Sequence, residues 1–366
     1  MVDWSNLPTD ILWEITKHLT LLEDLVAFGS VCSLWRFVAI MVKPEFLFKL
    51  TPWLMLAPEK PTDERSFYSI SEDSIRYFIL PEVNSRRCLS SKGWLLTVAE
   101  ADLNMALLHP FSRFEIELPH AKTFEYLHHF HRGGLDPTLF HVQLISKFVL
   151  SSNPMCTPDY LVMVLYGYIG EVAYCKHGDK SWTKIKSPPI KYPNYDITYY
   201  KGLYYVINWL GQIMQCDLTT NVLVEVAQIP HEQPSSSTLY MMESAGALIV
   251  VKRMIYYEDS EEVTYGTTGF KVFQVELRNN KWSEMKDLGN RTLFVGYNSS
   301  FSAESCYCKS NCIYFTDDCL EQYICKGEGG QDIGIYNMLD GSIEPCFHFQ
   351  GSSYSRVNPP MWVQQI

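Results

Sequence analysis

Ile197-Thr198-Tyr199-Tyr200 runs through Lys201-Gly202 into Leu203-Tyr204-Tyr205-Val206-Ile207-Asn208-Trp209. Past Gly211 the chain continues as Ile213-Met214-Gln215-Cys216-Asp217-Leu218, and past Thr219-Thr220-Asn221 as Val222-Leu223-Val224-Glu225-Val226. Each run is rich in β-branched and aromatic residues, and each break holds residues that tolerate the backbone of a tight turn. The stretch predicts four strands joined by short turns into one antiparallel sheet.

The same grammar recurs on both sides. Trp94-Leu95-Leu96-Thr97-Val98 precedes Met105-Ala106-Leu107-Leu108 and Phe114-Glu115-Ile116-Glu117-Leu118. Leu161-Val162-Met163-Val164-Leu165 precedes Val172-Ala173-Tyr174-Cys175 and Trp182-Thr183-Lys184-Ile185. Ala247-Leu248-Ile249-Val250-Val251 precedes Phe270-Lys271-Val272-Phe273-Gln274-Val275 and Trp282-Ser283-Glu284-Met285, and Cys312-Ile313-Tyr314-Phe315 precedes Ile333-Gly334-Ile335-Tyr336-Asn337. From about residue 65 onward the reading is all-β, without an amphipathic helix of ordinary length. Self-similar four-stranded units of unequal length predict a β-propeller of five or six blades, each hiding its faces against its neighbours. A pair of β-sandwiches is the structural alternative. The turns before Trp182 and Trp282 resemble Kelch repeats, although the double-glycine strand of true Kelch repeats is missing.

The N-terminal stretch reads differently. In Leu7-Pro8-Thr9-Asp10-Ile11-Leu12-Trp13-Glu14-Ile15, proline suits the start of a helix, and Asp10 and Glu14 place negative charge near its positive end. Ile11, Leu12, Ile15 and Leu19 recur at helical spacing. A second set, Leu22, Leu25, Val26 and Gly29, and a third, Val31, Leu34, Trp35 and Val38, predict two more helices, the last ending before Pro44. A unit this small cannot cover its own apolar faces well, so another surface must do so.

Leu7-Pro8 with its nearby acid and Ile-Leu pair, followed by Val31-Cys32-Ser33-Leu34-Trp35-Arg36, resembles the F-box. The resemblance implies docking onto a Skp-type adaptor that leads to a cullin scaffold and a ubiquitin-transfer machine. It also implies that Leu7, Pro8, Ile11, Leu12, Ile15, Val31 and Trp35 form the adaptor interface or its immediate support. Joined to the repeated β units, the whole is similar to the plant F-box family with a KIB-type propeller. The expected architecture is an α+β multidomain chain: a three-helix F-box at 1–44, a proline-rich connector at 45–64 containing a short strand at Trp53-Leu54-Met55-Leu56, and an all-β propeller of Kelch-like four-stranded blades at 65–366.

Bulk properties bound the function. Among 366 residues, 47% are hydrophobic, 14% aromatic and 19% charged, a globular composition. A net charge of −11 without a Lys/Arg run argues against a nucleic-acid partner. No signal-peptide pattern and no apolar run of membrane-spanning length is read, so a cytoplasmic or nuclear protein with no membrane partner is expected. Eleven cysteines, an odd number, fit reduced thiols in such a compartment.

No residue set predicts a cofactor or catalysis. Cys306, Cys308, Cys312, Cys319 and Cys325 do not form paired Cys-x-x-Cys knuckles and read as structural thiols, zinc being the alternative. His128, His129 and His131 lack a further ligand at matching spacing, and Gly327-Glu328-Gly329-Gly330 lacks the strand-to-helix setting of a phosphate loop. Tyr256-Tyr257-Glu258-Asp259-Ser260-Glu261-Glu262 reads as a solvated hairpin tip or a contact for a basic partner, and His231 to Ser237 as a link between blades. The expected function is a non-catalytic substrate receptor. An enzymatic or sugar-binding propeller with an incidental helical cap, or an F-box scaffold acting outside degradation, are the alternatives.

Overall fold

The structure, a computed structural model, describes residues 4, 7–19, 22–49, 51–58, 62–125, 140–188, 192–230, 237–259, 263–297, 299–305, 308–319, 332–346, 355 and 357–365. Among them lie six β-sheets. Blade 4 is the unit read first: Asn194–Tyr200, Leu203–Asn208, Gln212–Asp217 and Val222–Gln228, all neighbours antiparallel. Lys201 and Gly202 both sit at positive φ, as a two-residue hairpin between right-twisted strands requires.

Blade 2 comprises Arg86–Ser91, Trp94–Ala99, Met105–Leu108 and Glu115–Glu117, and blade 3 Ile145–Leu150, Leu161–Tyr166, Glu171–Lys176 and Thr183–Ile185. Blade 5 comprises Ser237–Ser244, Ala247–Asp259, Val263–Glu276 and Lys281–Met285. In blade 1 the chain closes on itself, because Met361–Val363 pairs with Trp53–Met55 ahead of Glu64–Ser69 and Ser74–Ile79. The first-named strands of successive blades touch one another and so surround a common axis.

Blade 6 departs from the simple meander. Its order is Phe301–Glu304, Arg291–Val295, Cys312–Phe315, Gly334–Asn337 and Ile343–Glu344, with Arg291–Val295 running parallel to Cys312–Phe315. Five described sheets thus have four strands and this one has five.

Each sheet buries both faces. Leu89, Trp94 and Leu96 of blade 2 meet Phe148, Val162 and Tyr166 of blade 3 in one apolar cluster, and five equivalent clusters fill the other gaps around the ring. The result is a six-bladed propeller and not the sandwich alternative.

The strands that the sequence reading did not pick out are mainly the innermost ones: Arg86–Ser91, Ile145–Leu150, Ser237–Ser244 and Phe301–Glu304. They carry buried polar groups such as Arg87, Ser90, Lys147 and Ser237, which interrupt the apolar pattern of a core strand.

Ahead of the ring stand α1 (Thr9–Lys17), α2 (Leu22–Gly29) and α3 (Ser33–Lys49). Leu12, Leu25, Phe28, Val38, Ala39 and Val42 form their shared core. Gly29 permits the close approach of α2 to α3, since a Cβ there would lie 3.1 Å from that of Ala39. One expectation is corrected. Pro44 does not end α3, which continues to Lys49, so the proline forfeits one backbone hydrogen bond within the helix instead of terminating it. The strand expected in the connector is present at Trp53–Met55 and belongs to blade 1.

Candidate functional site

The seven helical residues singled out by sequence divide between two roles. Pro8, Ile11 and Val31 face solvent, whereas Leu7, Ile15 and Trp35 are half-buried against the helical core. Leu12 is 0% exposed at the centre of that core, so it holds the helices together and is not accessible at their surface. Trp35 stacks obliquely on Phe28 with centroids 4.5 Å apart, and its Nε1 donates to the Trp4 carbonyl oxygen at 3.1 Å.

Sequence reasoning missed a second apolar face. Phe37, Ile40 and Met41 stand at i, i+3 and i+4 on α3, each more than half exposed, while Val38, Ala39 and Val42 on its other side are buried. The signal was the unbroken run Phe37-Val38-Ala39-Ile40-Met41-Val42. A helix apolar all round needs cover on two sides, and α1 and α2 provide only one. Side chains of this size displayed together form an exposed apolar patch of the kind that contact surfaces carry.

The ring presents a different device where blades 5 and 6 meet. Ala247–Asp259 and Val263–Glu276 form a hairpin far longer than the other strands. Buried Arg253 braces it: Nη1 donates to the Thr316 carbonyl oxygen at 2.8 Å and to Asp318 Oδ1 at 3.0 Å, and Nη2 donates to Asp332 Oδ2 at 2.8 Å. Its Nε donates to Thr267 Oγ1 at 2.8 Å, and the guanidinium lies 4.8 Å from the Phe315 ring centroid. Tyr240 donates its hydroxyl proton to Asp318 Oδ2 at 2.8 Å, and Tyr265 donates to Asp317 Oδ2. Burial works against the guanidinium charge, but Tyr240, Asp318 and Asp332 outweigh it and raise the Arg253 pKa. Burial raises the Asp317 pKa despite the Tyr265 bond. These groups bond to one another, so the cluster ties the hairpin to blade 6. Beyond it Tyr256 and Tyr257 are exposed.

A second buried carboxylate, Asp196, joins three blades near the axis. It accepts from the Ile197 amide at 2.8 Å, the Met241 amide at 2.9 Å and Ser300 Oγ at 2.7 Å. Burial raises its pKa, opposed by the nearby Lys147 charge and these hydrogen bonds.

The remaining sequence candidates fall largely on residues that the structure does not describe. Cys306 and Cys325, the three histidines and the Gly327–Gly330 stretch lie outside the described residues, as do residues 231–236 and 260–262. Cys312 is buried within its strand. Among the described residues no group of three His, Cys, Asp or Glu is placed to hold a metal, and no helix is long and apolar enough to cross a membrane.

Comparison with known proteins places two family models on the chain: KIB1-4 beta-propeller over residues 67–337 and F-box-like over residues 4–41. F-box protein SKIP23 of Arabidopsis thaliana is 25% identical, the match covering 99% of this chain and 96% of the relative. F-box protein At2g17036 of the same plant is 24% identical over 99% of this chain and 95% of its own. Among solved structures, apo AztD from Citrobacter koseri is similar with 11% identity and a TM-score of 0.37, over 63% of this chain and 59% of that chain.

Proposed function

Because the chain belongs to the KIB1-4 β-propeller family, with an F-box-like unit ahead of its ring, we propose that it is the substrate-recognition subunit of a Skp/cullin/F-box ubiquitin ligase. The helices bind a Skp-type adaptor and through it a cullin ligase, while the propeller holds a target protein. Catalysis is by proximity: the complex raises the target's effective concentration beside the ubiquitin donor, and no residue of this chain breaks or makes a bond. The working compartment is the cytoplasm or the nucleus. The curated relatives carry the name F-box protein, which agrees with this reading.

The observation that carries the proposal is the double-sided apolar surface of α3. Its Val38, Ala39 and Val42 side is packed, its Phe37, Ile40 and Met41 side is uncovered, and both lie within or beside the F-box-like match. Ile11 and Val31 add exposed apolar area on the same small unit. Helical anchors at such an interface carry most of the affinity.

Calorimetric titration of the full chain with a purified Skp-type adaptor tests it. Tight binding is expected, weakened by about 2 kcal/mol or more in each of Ile40→Asp and Met41→Asp. Because both side chains already face solvent, the variants keep their melting temperature. Failure of the folded wild type to bind, or equal binding by both variants, would overturn the reading.

A further inference from the structure

The chain is acidic overall, with a net charge of −11, yet one mouth of its central channel gathers cations. Gln364, Ser91, Val149, Thr198, Glu243 and Phe301, one from or next to the innermost strand of each blade, line a cavity of about 450 Å³ there. Three positive side chains join the lining, and backbone geometry fixes two of them. Lys92-Gly93 and Lys201-Gly202 are the two-residue turns that end the innermost strands of blades 2 and 4, with all four residues at positive φ. Arg291 opens its strand in blade 6.

The charges are incompletely compensated. Lys92 Nζ donates to the Ser151 carbonyl oxygen at 2.8 Å and lies 5.2 Å from the Tyr199 ring centroid, while Lys201 Nζ lies 4.9 Å from the Tyr200 ring centroid. Neither ammonium forms an ion pair among the described residues. Arg291 Nε donates to Ser302 Oγ at 2.8 Å, and its Nη1 is 3.8 Å from Glu304 Oε1, a loose contact with a half-exposed carboxylate outside the lining. Glu243 is the lining's acid. With Glu243 acting on Lys92 and Glu304 on Arg291, three cations face two carboxylates; one net positive charge remains, and the concave wall focuses its field.

We propose that this mouth seats a phosphate monoester. Near neutral pH such a group carries close to two negative charges and three acceptor oxygens, which suit the ammonium and guanidinium donors of the rim. The ester belongs either to a free small molecule or to a phosphorylated side chain of a protein; the cavity chemistry is the same for both. The proposal goes beyond the adaptor reading and stands without it, since it concerns the opposite functional part of the chain.

The test titrates the full chain, without adaptor, at constant ionic strength. The probes are glycerol phosphate, the peptide Gly-Gly-phosphoserine-Gly-Gly and its unphosphorylated form. Lys92→Asn and Lys201→Asn are the variants, because asparagine tolerates the left-handed backbone and keeps each turn. Saturable binding of a phosphorylated probe, absent for the plain peptide and weakened about tenfold in each variant, is expected. Tighter binding of the phosphopeptide assigns the site to a modified protein; equal or tighter binding of glycerol phosphate assigns it to a small molecule. Lys201→Asn, at an exposed turn, serves if Lys92→Asn does not fold. No saturation below about 10 mM, or affinity unchanged in a folded variant, would overturn the proposal.

Discussion

Ile11 and Leu12 are adjacent, similarly apolar and oppositely placed: one faces solvent and the other is the centre of the helical core. Leu12→Ala should therefore destabilise the helical unit by about 2–5 kcal/mol, seen as an earlier transition of its helical signal in denaturant. Ile11→Asp should leave that transition in place and reduce adaptor binding. Equal effects of the two on stability would contradict the assignment. Arg253 gives the complementary case in the ring. Arg253→Met leaves the part-buried Asp318 and Asp332 without their cation and should cost about 3 kcal/mol in equilibrium unfolding. At this scale the sequence was only partly legible. Helical spacing identifies Ile11 and Leu12 as apolar positions of one helix, but cannot say which is packed within the chain and which faces solvent. Arg253 sits in a run of ordinary strand residues, and its acid partners are distant in sequence.

Among elements, the legible ones were those with a buried apolar run bounded by turn residues, and blade 4 satisfied every condition. The innermost strands were obscured because their channel side is polar and their flanks are packed by neighbouring blades, which removes the simple alternation of a half-buried strand. The third helix was legible in its existence and not in its length, since Pro44 lies inside it. The turn after Gln212–Asp217 allows a test with pH. Thr220 Oγ1 donates to Asp217 Oδ2 at 2.7 Å and the Thr219 amide donates to Oδ1 at 2.8 Å, and these bonds lower the Asp217 pKa below its ordinary 3.8. A lowered carboxylate pKa contributes stability that is present above 3.8 and lost as pH falls through the folded value. The difference in melting temperature between wild type and Asp217→Ala should accordingly be largest near neutrality and close in acid. A difference independent of pH would remove the carboxylate from the account.

At the scale of the whole molecule, the ring is held by six equivalent apolar gaps and by one seam. Trp362 lies at that seam, fully buried, edge-on to Phe294 at 5.1 Å and to Tyr314 at 5.8 Å between centroids. Trp362→Ala should cost about 3–5 kcal/mol and lower the melting of the entire ring, not of one blade, as followed by tyrosine fluorescence and far-ultraviolet dichroism together. Separate transitions for the two probes would argue against a cooperative ring. The blade number stayed open between five and six in the sequence because blade 1 is assembled from two stretches far apart in the chain. That seam also orders events during synthesis. The helices and Trp53–Met55 leave the ribosome first, and the partner strand Met361–Val363 follows about three hundred residues later, roughly 15–60 s at ordinary elongation rates. Throughout that interval a nascent chain displays its helices while the edge of Trp53–Met55 lacks its partner, so the helical unit of this protein is born well before its ring can close.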